Sequence, residues 1–303
     1  MVKKVQVLLS SYNGQEYIGQ QLDSILNQQG VEVHCLVRDD GSTDSTINIL
    51  RDYQRRYENI EVIEGVNIGY KKSFMELVYL SGEHNYYAFA DQDDVWKPEK
   101  MLRAIEKLSE ENDNRPAMYC SNCIITDQNL NKIRMLHNSG NIVPETKVQA
   151  LVQGFAQGCT MVFNRKARDL ILKYKPKQDY AHDFWIPLIL NFLGKIIYDK
   201  NSYILYRQHE DNYFGTKSSI KKAIKFKSVL FNRKRNFYSN MIAEILEGYR
   251  DILGKDDRLM LENIISYRNS IVNKAKLILN RQLKRNTFAG TLFIKILIFF
   301  SRF

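Results

Sequence analysis

The stretch Tyr86-Tyr87-Ala88-Phe89-Ala90-Asp91-Gln92-Asp93-Asp94-Val95-Trp96 decides how the rest of the chain is read. It begins as an aromatic, apolar run suited to a buried strand. It ends in three carboxylates within four residues. Carboxylates so close repel one another, and each favours its protonated form unless positive charge sits among them. A hard divalent cation, Mg²⁺ or Mn²⁺, resolves that repulsion with oxygen ligands and commonly grips a substrate phosphate as well. The same residues also fit a solvated acidic turn, with Trp96 closing the core and Pro98 opening a helix.

The residues before this stretch alternate strand and helix. Val5 to Leu9 reads as a buried parallel strand running into the polar turn Ser10-Ser11-Tyr12-Asn13-Gly14. A helix follows over about 16–28, then a second strand, Val31 to Arg38, that also empties into carboxylates, Asp39-Asp40. Asp44 or Ser42 caps the next helix, and the strand Ile60-Glu61-Val62-Ile63, the turn Asn67-Ile68-Gly69 and a helix over 72–80 complete the series. Alternation of this kind predicts a doubly wound α/β sheet whose strands open at one edge, where such sheets bind ligands. Asp39-Asp40, Asp91 to Asp94 and Tyr12-Asn13 would meet there. Neither a dinucleotide-binding glycine fingerprint nor a P-loop is present, so a nucleotide bound at this edge would need its phosphates neutralised by metal.

Four segments carry a resemblance. Ser11-Tyr12-Asn13-Gly14, Arg38-Asp39-Asp40-Gly41-Ser42-Thr43-Asp44, Asn67-Ile68-Gly69 and Asp91-Gln92-Asp93-Asp94-Val95-Trp96 resemble, in order and spacing, the signatures of family-two, GT-A-fold glycosyltransferases. The resemblance covers roughly residues 3–215, and the Asp-Gln-Asp-Asp-Val-Trp form is most like that of bacterial rhamnosyltransferase-like members that build surface polysaccharides. It implies that Ser11, Tyr12, Asn13, Asp39, Asp40, Asp91 and Gln92 bind the nucleotide sugar. It also implies that Asp93 holds Mn²⁺ or Mg²⁺. Asp44 reads better as a helix cap. Trp96 is open to two readings, a core cap or a residue near the acceptor.

Further along, Gln157-Gly158 precede a strand and fit either an acceptor-side pocket or an ordinary tight turn. Tyr180-Ala181-His182-Asp183-Phe184-Trp185 opens an apolar helix. Asp183 there is either an N-cap or, as the resemblance implies, the base that deprotonates the acceptor hydroxyl. A helix N-terminus is expected to lower its pKa and keep it ionised. His182 is left as support for Asp183, an acceptor contact or a surface residue. Arg207 fits a diphosphate ligand and His209 a third metal ligand, on a loop whose continuation, 212–219, would form a lid; a merely solvated loop is the alternative. With one base and no candidate covalent nucleophile, the resemblance implies inversion.

The chain has a net charge of +10, and residues 217–303 hold 19 Lys+Arg against 6 Asp+Glu. The basicity therefore belongs to the tail. From Ser219 onward basic and aromatic residues interleave, Met241 to Leu253 and Asp257 to Leu279 read as amphipathic helices, and Thr291 to Phe300 is a short apolar run. That run is about half the roughly 20 residues of a spanning helix. The composition suits an anionic membrane face, with solvated helix faces or a homodimer surface as alternatives. No nucleic-acid-binding module is recognisable. Cys35, Cys120, Cys123 and Cys159 read as reduced, buried thiols, since the Cys120–Cys123 spacing lacks a second pair. The N-terminus runs into a strand without a signal peptide. The expectation is a GT-A catalytic domain over 1–215 and a helical, basic region over 216–303. The protein would be cytoplasmic and peripheral on the inner face of the membrane. A dTDP- or UDP-linked sugar would be the donor and a lipid-linked saccharide the acceptor. The rivals are a nucleotidyltransferase, disfavoured by the lack of a basic residue between Ser10 and Gly14, and a non-catalytic basic membrane-binding protein.

Overall fold

The computed structural model describes residues 2–110, 115–138, 140, 142–208 and 236–303. Its first half follows the expected alternation: β1 (Lys3–Ser11), α1 (Ile18–Leu26), β2 (Val31–Asp39), α2 (Thr46–Arg56), β3 (Ile60–Glu64), α3 (Tyr70–Leu80) and β4 (Tyr86–Asp91). Then come β5 (Val95–Trp96), α4 (Lys100–Ser109), β6 (Ala117–Thr126), β7 (Lys132–Met135) and α5 (Lys147–Ala150). A 3₁₀ turn (Gly158–Thr160) leads into β8 (Val162–Asn164), α6 (Arg165–Ile171), α7 (His182–Leu193) and the long β9 (Lys195–Arg207).

One mixed sheet runs in the order β3-β2-β1-β4-β8-β6-β9-β5, with β7 beside β6. The strands β3, β2, β1 and β4 are parallel, and β8 is antiparallel to both β4 and β6. The switch at β4 has a physical origin. The chain leaves β4 through an acidic turn, and the short β8 re-enters beside Tyr86 to Ala88.

Successive residues of the strands serve opposite faces. Val5, Val7, Leu9, Ala88 and Ala90 join α1, α2 and α4 in one core. Leu8, Leu36, Tyr87 and Phe89 join α3 and α7 in the other. Buried on both faces, these strands are near-continuously apolar.

The tail forms α8 (Phe237–Tyr249), α9 (Lys255–Ile265), α10 (Ile271–Leu279) and α11 (Phe288–Phe299). The single helix expected over 257–279 is broken by a 3₁₀ turn at Ser266–Arg268. Ser270 then caps a new helix by accepting from the Asn273 amide. Serines near the break offer the backbone local alternatives to helical bonding. These helices share a core with the α3/α7 face, to which Met241, Ile245, Leu261, Ile294 and Ile298 all contribute.

A polar contact fastens the two regions. Glu244 of α8, buried to 5% exposure, accepts from the Lys177 amide at 2.5 Å, the Tyr180 hydroxyl at 3.0 Å and the Tyr174 hydroxyl at 3.5 Å. The Tyr180 ring in turn stacks on Trp185 at 5.0 Å between centroids. The segment leading into Asp183 is thus held by the tail. Glu244→Ala leaves three donors without their acceptor and should cost about 2–3 kcal/mol in urea unfolding. Glu244→Gln, which keeps one acceptor oxygen, should cost less.

Candidate active site

The parallel register sets the site. Ser11 lies opposite Asp39, Ser10 opposite Asp91 and Asp39 opposite Glu64, so β1, β2, β3 and β4 all open at one edge. Beyond that edge the signature turns bind each other. The Tyr12 amide donates to Gln92 Oε1 at 2.8 Å, and Gln92 Nε2 donates back to the Tyr12 carbonyl at 3.1 Å. A Cβ on Gly14 would meet Gln92 Oε1 at 2.4 Å, so this pairing needs glycine there. Asn13, in the left-handed region at φ 47°, accepts from the Thr43 amide at 2.8 Å and donates its own amide to Ser42 Oγ at 2.9 Å. Ser45, not Asp44 or Ser42, is the N-cap of α2 and makes no side-chain cap bond; Asp44, one residue earlier, accepts from the Thr46 amide and hydroxyl in a tight turn that leads into the helix.

The carboxylates of the edge are stabilised unequally. Asp39 is buried and accepts from the Ser42 amide at 2.8 Å and from the Ser11 and Ser42 hydroxyls. Asp40 is buried against the Arg38 guanidinium and accepts from the Ile68 and Gly69 amides at 2.9 and 2.8 Å. Arg38 also bonds Ser73 Oγ, the Val66 carbonyl and Glu76, which shapes the turn after β3. Asp94 is fully buried and receives the Arg207 amide at 3.2 Å, while its second oxygen has no hydrogen-bond partner among the described residues. Burial and the neighbouring carboxylates push it well above the usual range.

Asp91 is half-buried. Burial first, then the charges of Asp93 and Asp183, push it up to about 7, with the Cys159 thiol bond acting the other way. Ligand atoms of Asp91, Asp94 and Cys159 lie within 4.8 Å of one another. Burial pushes the Cys159 thiol far up, so its sulfur stays protonated and donates. What converges is an oxygen-donor set deficient in positive charge, which fits a hard cation such as Mg²⁺ or Mn²⁺ better than a thiolate-seeking one. All four cysteines are free and buried.

Asp183 is the second residue of α7. Its pKa is raised to about 6, against the lowering expected of a helix N-terminus, because burial outweighs its own backbone hydrogen bond and the charge of Lys71. Pro187, four residues on, has no N–H to donate to the Asp183 carbonyl. His182 is not a surface residue and does not bond Asp183. It is buried between Phe74 and Phe89, with centroids at 4.1 and 4.5 Å, and neither ring nitrogen has a hydrogen-bond partner among the described residues. Burial pulls its pKa down to about 3, so it stays neutral. Gly158 begins the 3₁₀ turn against this ring, and Gln157, half-buried, caps that turn from outside.

Trp96 is buried at 3% exposure, among the core residues of the α1/α4 face. Above it lies the fully buried Lys100, with Nζ at 3.5 Å from the ring centroid and no hydrogen-bond partner among the described residues. Burial draws the Lys100 pKa down to about 7, with the nearby Asp94 carboxyl acting the other way. Arg207 is also buried. Its guanidinium donates to the Asp93 carbonyl at 2.8 Å, the Gln128 carbonyl and Gln20 Oε1, and lies 4.5 Å from the Tyr17 ring centre. Those bonds clasp the acidic turn to the end of β9. His209, the expected third metal ligand, and the expected lid over 212–219 lie outside the described residues.

Sequence reading missed Arg38 and Lys100 as organisers of the edge. A signal existed for Arg38, a charged residue inside an apolar strand, whereas Lys100 looks like any lysine on an amphipathic helix.

A Cβ on Gly158 would sit 2.3 Å from His182 Nε2, and two phenylalanine rings keep that imidazole from yielding. Gly158→Ala should therefore lower both thermal stability and turnover. His182→Ala introduced into the same chain should restore part of the stability, as a thermal-melt double-mutant cycle would show.

Comparison with known proteins identifies the family and the fold. The family model described as glycosyl transferase family 2 matches residues 6–171, more than half of the chain. The dTDP-rhamnosyl transferase RfbG of Shigella flexneri is 29% identical over 259 residues, 80% of this chain and 85% of that protein. Among solved structures, S. aureus TarS 1–349 in complex with UDP-GlcNAc superposes with a TM-score of 0.57 at 15% identity, covering 97% of this chain and 81% of TarS 1–349. The mannosyltransferase PcManGT from Pyrobaculum calidifontis, in complex with GDP-Man and Mn²⁺, superposes at 0.51 with 14% identity over 96% of this chain and 74% of that one. These structures share the GT-A fold with the present sheet and helices. The chain belongs to glycosyl transferase family 2.

Proposed function

We propose that this protein transfers a sugar from a nucleotide-sugar donor to a hydroxyl of a lipid-linked or growing cell-surface polysaccharide, with inversion at the anomeric carbon. The donor we favour is dTDP-L-rhamnose, supported by the similarity to RfbG over four fifths of the chain. A lipid-linked acceptor would bring the protein to the inner face of the membrane. The observation that carries the reading is the convergence of the acidic end of β4, where ligand atoms of Asp91 and Asp94 lie within 4.8 Å of each other, with Asp183 at the start of α7, whose charge reaches Asp91.

In this reading Ser11, Tyr12 and Asn13 line the nucleotide subsite, and Tyr12, 45% exposed, offers its ring to the base. Asp39 and Asp40 hold the two turns that frame it. Gln92 couples the base-side turn to the acidic turn. Asp91 and Asp93 would hold Mn²⁺ or Mg²⁺, which when bound offsets the negative charge of the departing diphosphate. Asp183 accepts the proton of the attacking hydroxyl, and its pKa near 6 leaves it ionised yet basic enough to take that proton at neutral pH. Gln157 and Gly158 border the acceptor side through the turn that packs on His182.

Asp183→Asn removes the base and keeps the shape. Transfer should fall on the order of 10²–10⁴-fold, while calorimetric binding of dTDP in the presence of Mn²⁺ stays within about twofold of wild type. Unchanged transfer would sink the assignment. A base titrating near 6 must lose its proton before it can act, so kcat/KM should fall about tenfold per pH unit below that value. A rate profile flat from pH 7 to pH 5 would mean that Asp183 is not the titrating group. In Asp93→Asn, dTDP binding should lose its enhancement by Mn²⁺.

A further inference from the structure

We infer that the α10–α11 hairpin is a bilayer-docking surface that seats the protein on an anionic phospholipid membrane. The inference rests on the proposed function only for its purpose, delivery to a lipid-linked acceptor; the surface itself is read from its own residues.

The two helices pack antiparallel. Lys274, near the start of α10, donates to the Phe299 carbonyl at 3.3 Å and to Ser301 Oγ at 2.7 Å. Lys295 of α11 donates to the carbonyls of Leu277 and Asn280 at the end of α10, at 3.4 and 2.8 Å. On α11, Ile294, Leu297 and Ile298 turn into the core. Phe288, Leu292 and Phe299 form an opposite stripe at i, i+4 and i+11, exposed by 85, 49 and 63%. On α10 only Leu277 is buried, and Ile271, Val272 and Leu279 are exposed by 86, 61 and 77%. Phe300 adds another ring at 61%. Scattered single hydrophobics need no explanation, but large apolar residues gathered on one helical hairpin mark an interaction site.

Charge decides the occupant. Residues 263–303 contain eight Lys+Arg and no Asp or Glu. Among these, Lys276 flanks the α10 stripe and Arg281 lies in the turn between the helices, both exposed. A second protein copy would set this cationic face against itself, whereas an anionic bilayer offers hydrocarbon for the rings and headgroup phosphates for the cations. α11, at 12 residues, is too short to span, and no helix among the described residues is long and apolar enough to cross a membrane. The hairpin would therefore lie in the interface.

It is also fixed to the catalytic half. The Asn286 amide donates to Gln153 at 3.0 Å, Lys284 pairs with Glu145 at 3.0 Å, and Gln149 donates to Asn286 at 3.3 Å. The segment 145–153 runs directly into Gln157 and Gly158, so docking of the hairpin would set the orientation of the acceptor side.

The test is flotation of the full chain with phosphatidylcholine vesicles, with and without phosphatidylglycerol, in the absence of any sugar nucleotide. Wild type should float only with the anionic vesicles. Phe288→Ser with Phe299→Ser should reduce the partition coefficient by about tenfold or more. Lys276→Gln with Arg281→Gln should weaken binding and flatten its salt dependence. In a second measurement, the added indole of Phe288→Trp should shift to the blue on anionic vesicles and be quenched by brominated acyl chains. Failure of wild type to float would overturn the proposal. So would anionic binding that the hairpin variants leave unchanged, which would move the contact to the basic residues of 217–235. Mass doubling in light scattering that Phe288→Ser abolishes, with no vesicle binding, would assign the face to a dimer instead. A negative result in any of these leaves the Asp183 experiments unaffected, and failure of those leaves vesicle binding unaffected.

Discussion

Mutual repulsion among carboxylates at one sheet edge is the constraint on which the rest of this structure depends. Strands β2, β3 and β4 deliver acidic residues to the same edge, and burial raises the cost of the negative charges set inside it. Each carboxylate is met differently. Asp40 has a buried guanidinium and two backbone amides, and Asp39 has an amide and two hydroxyls. Asp94 has the Arg207 amide in front and the charge of Lys100 close by. Asp91 has a thiol and two further negative neighbours, Asp93 and Asp183. The unresolved charge is concentrated where the chemistry is proposed to occur, while the surrounding acids act as fasteners for the turns.

This division explains why so much of the edge is rigid. Asp40 holds the Ile68–Gly69 turn, Asp39 holds the Ser42 turn, and Arg207 clasps the Asp93 carbonyl to the end of β9. Asp39, Asp40 and Arg207, which read as ligand contacts in the motifs, are engaged with protein groups here and hold the turns in place. The tail does the same for Asp183. Glu244 gathers three donors from the segment before α7, and Tyr180 stacks on Trp185 within that helix. A basic tail and a catalytic sheet, distinct in composition, meet in one apolar core.

The order of strands and helices through β4 was legible because apolar runs and polar turns alternate cleanly, and the four signature segments carry the family. The strand after the Gly158 turn was legible and is β8, but β5 and β7 were not, since two to four residues have no periodicity and exist only by pairing with β9 and β6. Candidate residues were found more readily than their states. Asp183 was recognisable at a helix start, but the direction of its pKa depends on burial by elements far away in sequence. His182, adjacent to it, turns inward because α3 and β4 supply two phenylalanines. Arg207 looks the same in sequence whether its guanidinium meets a phosphate or three protein oxygens. The break at Ser266–Ser270 shows the reverse case, where local serine chemistry overrides a continuing amphipathic pattern.

The bond between Tyr180 and Glu244 spans 64 positions of the chain. At ribosomal speed that separation is on the order of several seconds of synthesis. By the end of that interval β9 has joined the sheet and the nucleotide-side and acidic turns have been made, while the segment carrying Asp183 still lacks its clamp. The last helices to be made are therefore the ones that complete the site. A nascent chain could hold a donor before it could use one, and competence would arrive as a late, single event once α8 docks.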